Sequence, residues 1–138
     1  QSHLKIIRCS NISNIENFRM IKKLELINCP KITDVSCLYG VYDLTLISLP
    51  NVKDVSGLGD HYRIHLEIGN DDVIGYNSLY NIPHVSLSAN LTDISMLRNA
   101  QTVKLIEWKE VKDITPLANA KEVCFNSCTA MIDISSLR

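Results

Sequence analysis

Long hydrophobic runs are missing from this sequence. No stretch approaches the ~18 consecutive apolar residues of a membrane-crossing helix, so membrane insertion is not expected. A basic excess is missing too. Lys and Arg number 14 and Asp and Glu 15, a net charge of −1. Binders of nucleic acid or of anionic membrane surfaces need a basic excess or a basic stripe, so neither partner is expected. The usual catalytic signatures are absent: no Gly-rich phosphate loop, no G-x-S-x-G and no H-E-x-x-H. The opening residues, QSHLKIIRCS, carry no signal-peptide pattern and no initiator Met.

Cysteine is present but not in a pairing pattern. The five residues Cys9, Cys29, Cys37, Cys124 and Cys128 are odd in number and irregularly spaced, a poor disulfide framework. Cys124 and Cys128 have C-x3-C spacing, but no second ligand pair follows at a zinc-site distance. The expectation is free, mostly buried thiols in a reducing, intracellular compartment, with no metal and no cofactor. Two N-x-S/T sequons, at Asn11 and Asn90, matter only if the chain is secreted.

What the chain does have is a phrase written five times: ITDVSCL (32–38), VKDVSGL (52–58), LTDISML (91–97), VKDITPL (111–117) and MIDISSL (131–137). Its last apolar position forms the column Phe18, Leu38, Leu58, Leu79, Leu97, Leu117, Leu137, with steps of 20, 20, 21, 18, 20 and 20 residues. Apolar columns three and six residues earlier complete seven repeats, from Ile12 and Ile15 in the first to Met131 and Ile134 in the last. Upstream of each phrase lies a short alternating segment, "LKI", "LEL", "LTL", "IHL", "VSL", "VKL" or "VCF". Alternation of that kind is a half-buried strand. Seven such strands, each reached by the same return path, form a parallel sheet roughly 30 Å long at ~4.8 Å spacing. The phrase leaves room for one tight turn of 3₁₀ or α-helix. Thr115 followed by Pro116 reads as an N-cap and first helical residue, with Ser36, Ser56, Ser95 and Ser135 in the same place. The Asp column (Asp34, Asp54, Asp93, Asp113, Asp133, with Asn14 in the first repeat) is read as an acceptor for backbone N–H groups of the turn, not as a cation ladder.

Residues such as LELINCPKITDVSCL and VCFNSCTAMIDISSL fit the pattern L-x-L-x-x-[NC]-x-x-[IL]. On this pattern the chain resembles a leucine-rich-repeat protein over nearly its whole length. VKDITPLANA is similar to the short repeats of bacterial internalins, and CPKITDVSCL and VKDVSGLG to repeats of giant DNA viruses and some protozoa. The resemblance implies a right-handed α/β solenoid, a horseshoe of about seven coils, with a concave parallel sheet and short convex segments. Residues 1–138 are read as a single domain cut from a longer array, because neither end shows a polar capping repeat. The column that often carries a buried Asn in such repeats reads Cys9, Cys29, Leu49, Gly69, Asn90, Trp108, Cys128 here, so thiols or water are expected to serve in its place. The fourth repeat is too long by one residue, lacks the Asp, and is expected to bulge or alter the curvature.

The informative surface is the outward face of the sheet. One column reads Ile7, Ile27, Ile47, Glu67, Ser88, Ile106, Asn126; its neighbour reads Lys5, Glu25, Thr45, His65, Ser86, Lys104, Cys124. The consecutive isoleucines are either a contact ridge or simple strand preference. The expected partner-binding residues are Ile7, Glu25, Ile27, Thr45, Ile47, His65 and Glu67. The predicted function is a non-enzymatic protein-binding module. The alternative is a structural part of a larger assembly, with self-association through uncapped ends. His65, His84 and Glu67 could in principle bind a metal or do acid–base work, but ordinary surface strand residues are the preferred reading. His61 is expected to be partly buried and hydrogen-bonded rather than catalytic.

Overall fold

The computed structural model describes residues 3–109, 111 and 113–129. Seven strands, β1 (His3–Ile7), β2 (Lys23–Ile27), β3 (Asp43–Ile47), β4 (Arg63–Glu67), β5 (His84–Leu87), β6 (Thr102–Ile106) and β7 (Glu122–Asn126), form one parallel sheet in sequence order. We number each coil by its strand. The register is that of the sequence columns: Leu4 opposite Leu24, Leu24 opposite Leu44, Leu44 opposite Ile64, and so on to Val103 opposite Val123. This is a leucine-rich-repeat solenoid. Each strand is too short to persist alone, and each gains its ladder partners only because the next coil repeats the same apolar spacing.

Alternation decides the two faces. Leu24, Leu26, Leu44, Leu46, Ile64 and Leu66 point into the core with no exposed surface, while the residues between them face outward. Across the core lie the convex columns, Ile32, Val35 and Leu38 in coil 2 and Val111, Ile114 and Leu117 in coil 6, all buried. The residues at 131, 134 and 137 that would extend these columns lie outside the described residues. The end strands differ from the middle ones: Leu4, Ile6, Val123 and Phe125 are only partly buried.

The convex segments are single 3₁₀ turns at Glu16–Met20, Ser36–Leu38, Tyr76–Leu79, Ser95–Leu97 and Thr115–Leu117. The carboxylate column organises them as expected. Asp34, Asp54, Asp93 and Asp113 each accept, through Oδ1, the backbone N–H two residues on, at 2.8–2.9 Å. Asn14 does the same for Glu16 at 3.1 Å. The capping assignment is corrected in one respect. Ser36, Ser95 and Thr115 are the first residues of their turns, preceded by Val35, Ile94 and Ile114, and none caps through its side chain. The N–H groups such a cap would take are used by the 3₁₀ turn itself, Leu38 N donating to Val35 O, Leu97 N to Ile94 O and Leu117 N to Ile114 O. The Ser36 and Thr115 hydroxyls donate to the Asp carboxylate. These hydrogen bonds hold Asp34 and Asp113 below the usual carboxylate range.

After β1, β2, β3, β6 and β7 the chain turns through one residue at positive φ: Arg8, Asn28, Ser48, Glu107 and Ser127, at φ 55–57°. The strain of a left-handed non-Gly residue is offset by a bond between coils. Arg8 N donates to Ile27 O, Asn28 N to Ile47 O, Ser48 N to Glu67 O and Glu107 N to Asn126 O, at 2.8–3.0 Å.

Coil 4 is the irregular one, one residue longer than its neighbours, and it departs from the repeat in two places. Ile68 takes the buried position after the strand, and the left-handed residue becomes Gly69. On the convex side Gly75, at φ 95°, replaces the missing Asp turn and lets the backbone close onto coil 3. Ile74 N donates to Lys53 O and Val55 N to Ile74 O, both at 2.9 Å, and Ser78 Oγ donates to Val55 O at 3.1 Å. The irregular repeat therefore binds its predecessor more closely instead of bulging away from it.

Candidate functional site

The outward face of the sheet, concave in a solenoid of this class, carries the expected site residues. The register sets Ile7, Ile27, Ile47 and Glu67 side by side, and Lys5, Glu25, Thr45 and His65 in the next column. Ile7 is 50% exposed, and Ile27 and Ile47 are half-buried. The fourth isoleucine does not belong to this surface. Ile106 is buried, at 7% exposure, so the apolar column is confined to the first three coils.

Polar pairs border this column. His3 Nε2 and Glu25 Oε2 lie 2.8 Å apart. That bond, helped by the charges of Lys5 and Lys23, holds the Glu25 carboxyl below its usual range despite some burial. At the other end of the isoleucines, His65 Nε2 meets Glu67 Oε2 at 2.5 Å. The structure thus brings His65 and Glu67 together but keeps His84 apart. His84 Nδ1 bonds Thr102 Oγ1 at 2.7 Å, and its ring meets Tyr62 edge-on at 4.7 Å. Among the described residues no group of three or more His, Cys, Asp and Glu side chains could hold a metal ion, and no helix is long and apolar enough to cross a membrane.

Alongside β2–β5 runs a feature the apolar periodicity did not reveal. Tyr42 and Tyr62, each just ahead of its strand, stack with ring centroids 4.8 Å apart and planes within 5°. Lys22 Nζ sits 5.2 Å above Tyr42, and the Arg63 guanidinium lies 5.8 Å from the Tyr62 ring. The signal in the sequence is the recurrence of Tyr at a 20-residue step, just ahead of the alternating segments. Both ring faces of Tyr42 are occupied, so it presents an edge and a hydroxyl to solvent.

His61 is buried, at 3% exposure, and both ring nitrogens are used. Nδ1 lies 2.6 Å from Val41 O, and Nε2 accepts from Gly59 N at 3.2 Å. This geometry requires the neutral tautomer protonated on Nδ1. Burial lowers its pKa, against the opposing pull of Val41 O and the Asp60 charge. The Asn-like column is filled as expected by other groups. Cys29 Sγ donates to Ile27 O at 3.5 Å, Cys128 Sγ to Leu105 O at 3.4 Å, and the fully buried Trp108 donates Nε1–H to Leu87 O at 2.8 Å. Asn90 itself is exposed. Amides reappear on another line: Asn51, Asn70 and Asn99 donate to the carbonyls of Pro30, Val52 and Tyr80, each on the preceding coil.

The fold defined by these coils is shared with known proteins. An internalin (inlF) of Listeria monocytogenes matches with a TM-score of 0.60 at 17% identity, covering 99% of this chain and 50% of that one. An internalin C2 (inlC2) of the same organism matches with a TM-score of 0.57 at 20% identity, over 99% of this chain and 75% of that one. The chain thus spans half the length of the first of these internalins. No protein-family model and no curated protein matches it.

Proposed function

We propose that the chain is a protein-binding module whose contact surface is the concave sheet face of coils 1–3. The observation that carries this reading is the in-register row Ile7–Ile27–Ile47, outward-facing and bordered by Lys5, Glu25 and Thr45, with His65 and Glu67 at its end. An apolar strip with a polar rim is the usual arrangement of a contact core. The role is binding rather than catalysis. The five free cysteines support a reducing compartment. The test is Ile27→Asp against a partner captured from the native source. Ile27 points out of the core, so the variant stays folded and loses on the order of 2 kcal/mol of binding. Leu26→Asp, pointing inward, unfolds the chain. A folded Ile27→Asp that binds normally reduces the ridge to strand preference.

A further inference from the structure

We propose that the part of the concave groove over β4–β6 receives a single carboxylate side chain of a partner protein, held between Arg63 and Lys104 above the hydroxyl of Ser86. This rests on the protein-binding reading above and adds the chemistry of the partner. The groove has a volume of about 520 Å³. Its floor is set by the register: Arg63 pairs with His84 and His84 with Thr102, while His65 pairs with Ser86 and Ser86 with Lys104. Arg63 and Lys104 therefore sit two strands and two residues apart, an offset of ~10 Å by ~7 Å, within the combined reach of two long side chains.

Three observations converge on an anion. Among the described residues neither Arg63 nor Lys104 makes an ion pair. Of the three carboxylates that line the groove, Glu25 is already engaged by His3. Ser86 Oγ is the one buried side-chain polar atom among the described residues with no hydrogen-bond partner. Such an atom asks for an explanation in a native structure, and a rotation about χ1 offers a ligand an O–H donor beside two cations. The charge around the cluster limits what fits. Asp43 adjoins Arg63 in the register, and Glu122 lies beyond Thr102. A polyanion would meet these acids; one isolated carboxylate between Arg63 and Lys104 would not.

The test is an NMR titration of the chain at low ionic strength with the capped peptide acetyl-AAEAA-amide, its Gln counterpart, and inorganic phosphate. Saturable shifts at the amides of His84, Ser86 and Lys104 are expected with the Glu peptide and not with the Gln peptide. Arg63→Gln and Lys104→Gln should each weaken the apparent affinity about threefold, as loss of one exposed charge contact does. Ser86→Ala should weaken it too while leaving the melting temperature unchanged or raised, because an orphaned hydroxyl contributes nothing to the unliganded fold. No saturable shift, shifts shared by the Gln peptide, shifts untouched by the three substitutions, or saturation by phosphate alone would overturn the proposal. Ile27 is not one of this cluster's residues, and its variant is read in the separate partner-binding assay. A null titration therefore leaves the ridge reading standing, and a normally binding Ile27→Asp leaves this one standing.

Discussion

Replacing His61 by Leu removes the side chain that ties a carbonyl of coil 2 to an amide ahead of β4. The ring is buried, so Val41 O and Gly59 N are left without water or protein partners. Orphaning a buried backbone group costs ~1–3 kcal/mol, so the two together predict a loss of about 2–5 kcal/mol, with Leu filling most of the vacated volume. The same geometry sets a pH dependence. The unfolded chain takes up a proton on this imidazole near its ordinary pKa of 6.5, while burial holds the folded value lower. Stability is therefore level above about pH 6.5 and falls as the pH drops below it, by at most ~1.4 kcal/mol per pH unit. The fall levels off once the folded form also titrates. His84 is shifted the same way, by burial and by Arg63, so the parent's slope contains both residues and the difference between parent and His61→Leu isolates His61. The turn carboxylates, whose pKa values are also lowered, act only below about pH 4. Urea unfolding followed by circular dichroism, at about pH 7.5 and about pH 5.5, supplies both numbers. A loss under ~1 kcal/mol at the higher pH, or an acid slope identical in the two proteins, would refute the argument.

Gly75→Ala should be among the most damaging single-methyl changes in the chain. Its Cβ would lie on Ser56 N and 2.7 Å from Asp54 Oδ1, at a φ of 95° that L residues rarely adopt. A loss of about 2–4 kcal/mol is expected, and a urea midpoint within error of the parent's would contradict the close approach of coils 3 and 4. Asp54→Ala should lower the melting temperature by on the order of a few degrees. Calcium and a chelator should leave the parent's melting temperature where it was; a calcium-dependent rise would restore the cation ladder. Because hydrogen bonds from Ser36 and Thr115 lower the pKa values of Asp34 and Asp113, the stability they contribute is complete above about pH 4 and is lost as the pH falls further. An acid unfolding curve unchanged in Asp34→Asn would contradict that assignment.

Repetition made the fold legible. A residue facing inward in one coil faces inward in all, so the columns read from the sequence became the strand register without a slip. The Asp turns were legible for the same reason, since each needs only its own neighbours. His61 was placed because it interrupts an apolar column held by Val41 and Ile82. What escaped depends on directions that a period does not encode. The Tyr42–Tyr62 stack lies outside the alternating segment, where no pattern fixes the side-chain direction. The amides of Asn51, Asn70 and Asn99 reach back one coil from loop positions that carry no apolar signature. Ile106 shares its column with Ile47 yet is buried, because a column fixes a side chain's direction and not what covers it. Thr115 before Pro116 suggests a cap for the whole Ser/Thr column, but the residue before it, Val35, Ile94 or Ile114, closes each turn through its own carbonyl.

The second set of backbone bonds between coils 3 and 4 has a mechanical consequence. Elsewhere among the described residues, neighbouring coils are joined in the sheet, in the turns beside it and, between coils 2 and 3, just past the 3₁₀ turn where Gly40 N donates to Gly59 O, while the 3₁₀ phrases themselves only pack. Between coils 3 and 4 the chain is also joined on the far side of the core, through Lys53, Val55 and Ile74. Stretched from its two termini in an optical trap, a stack of near-identical coils would peel at nearly constant force. This one should peel from an end to the doubly joined pair, pause there with coils 3 and 4 still closed, and give way at a higher force.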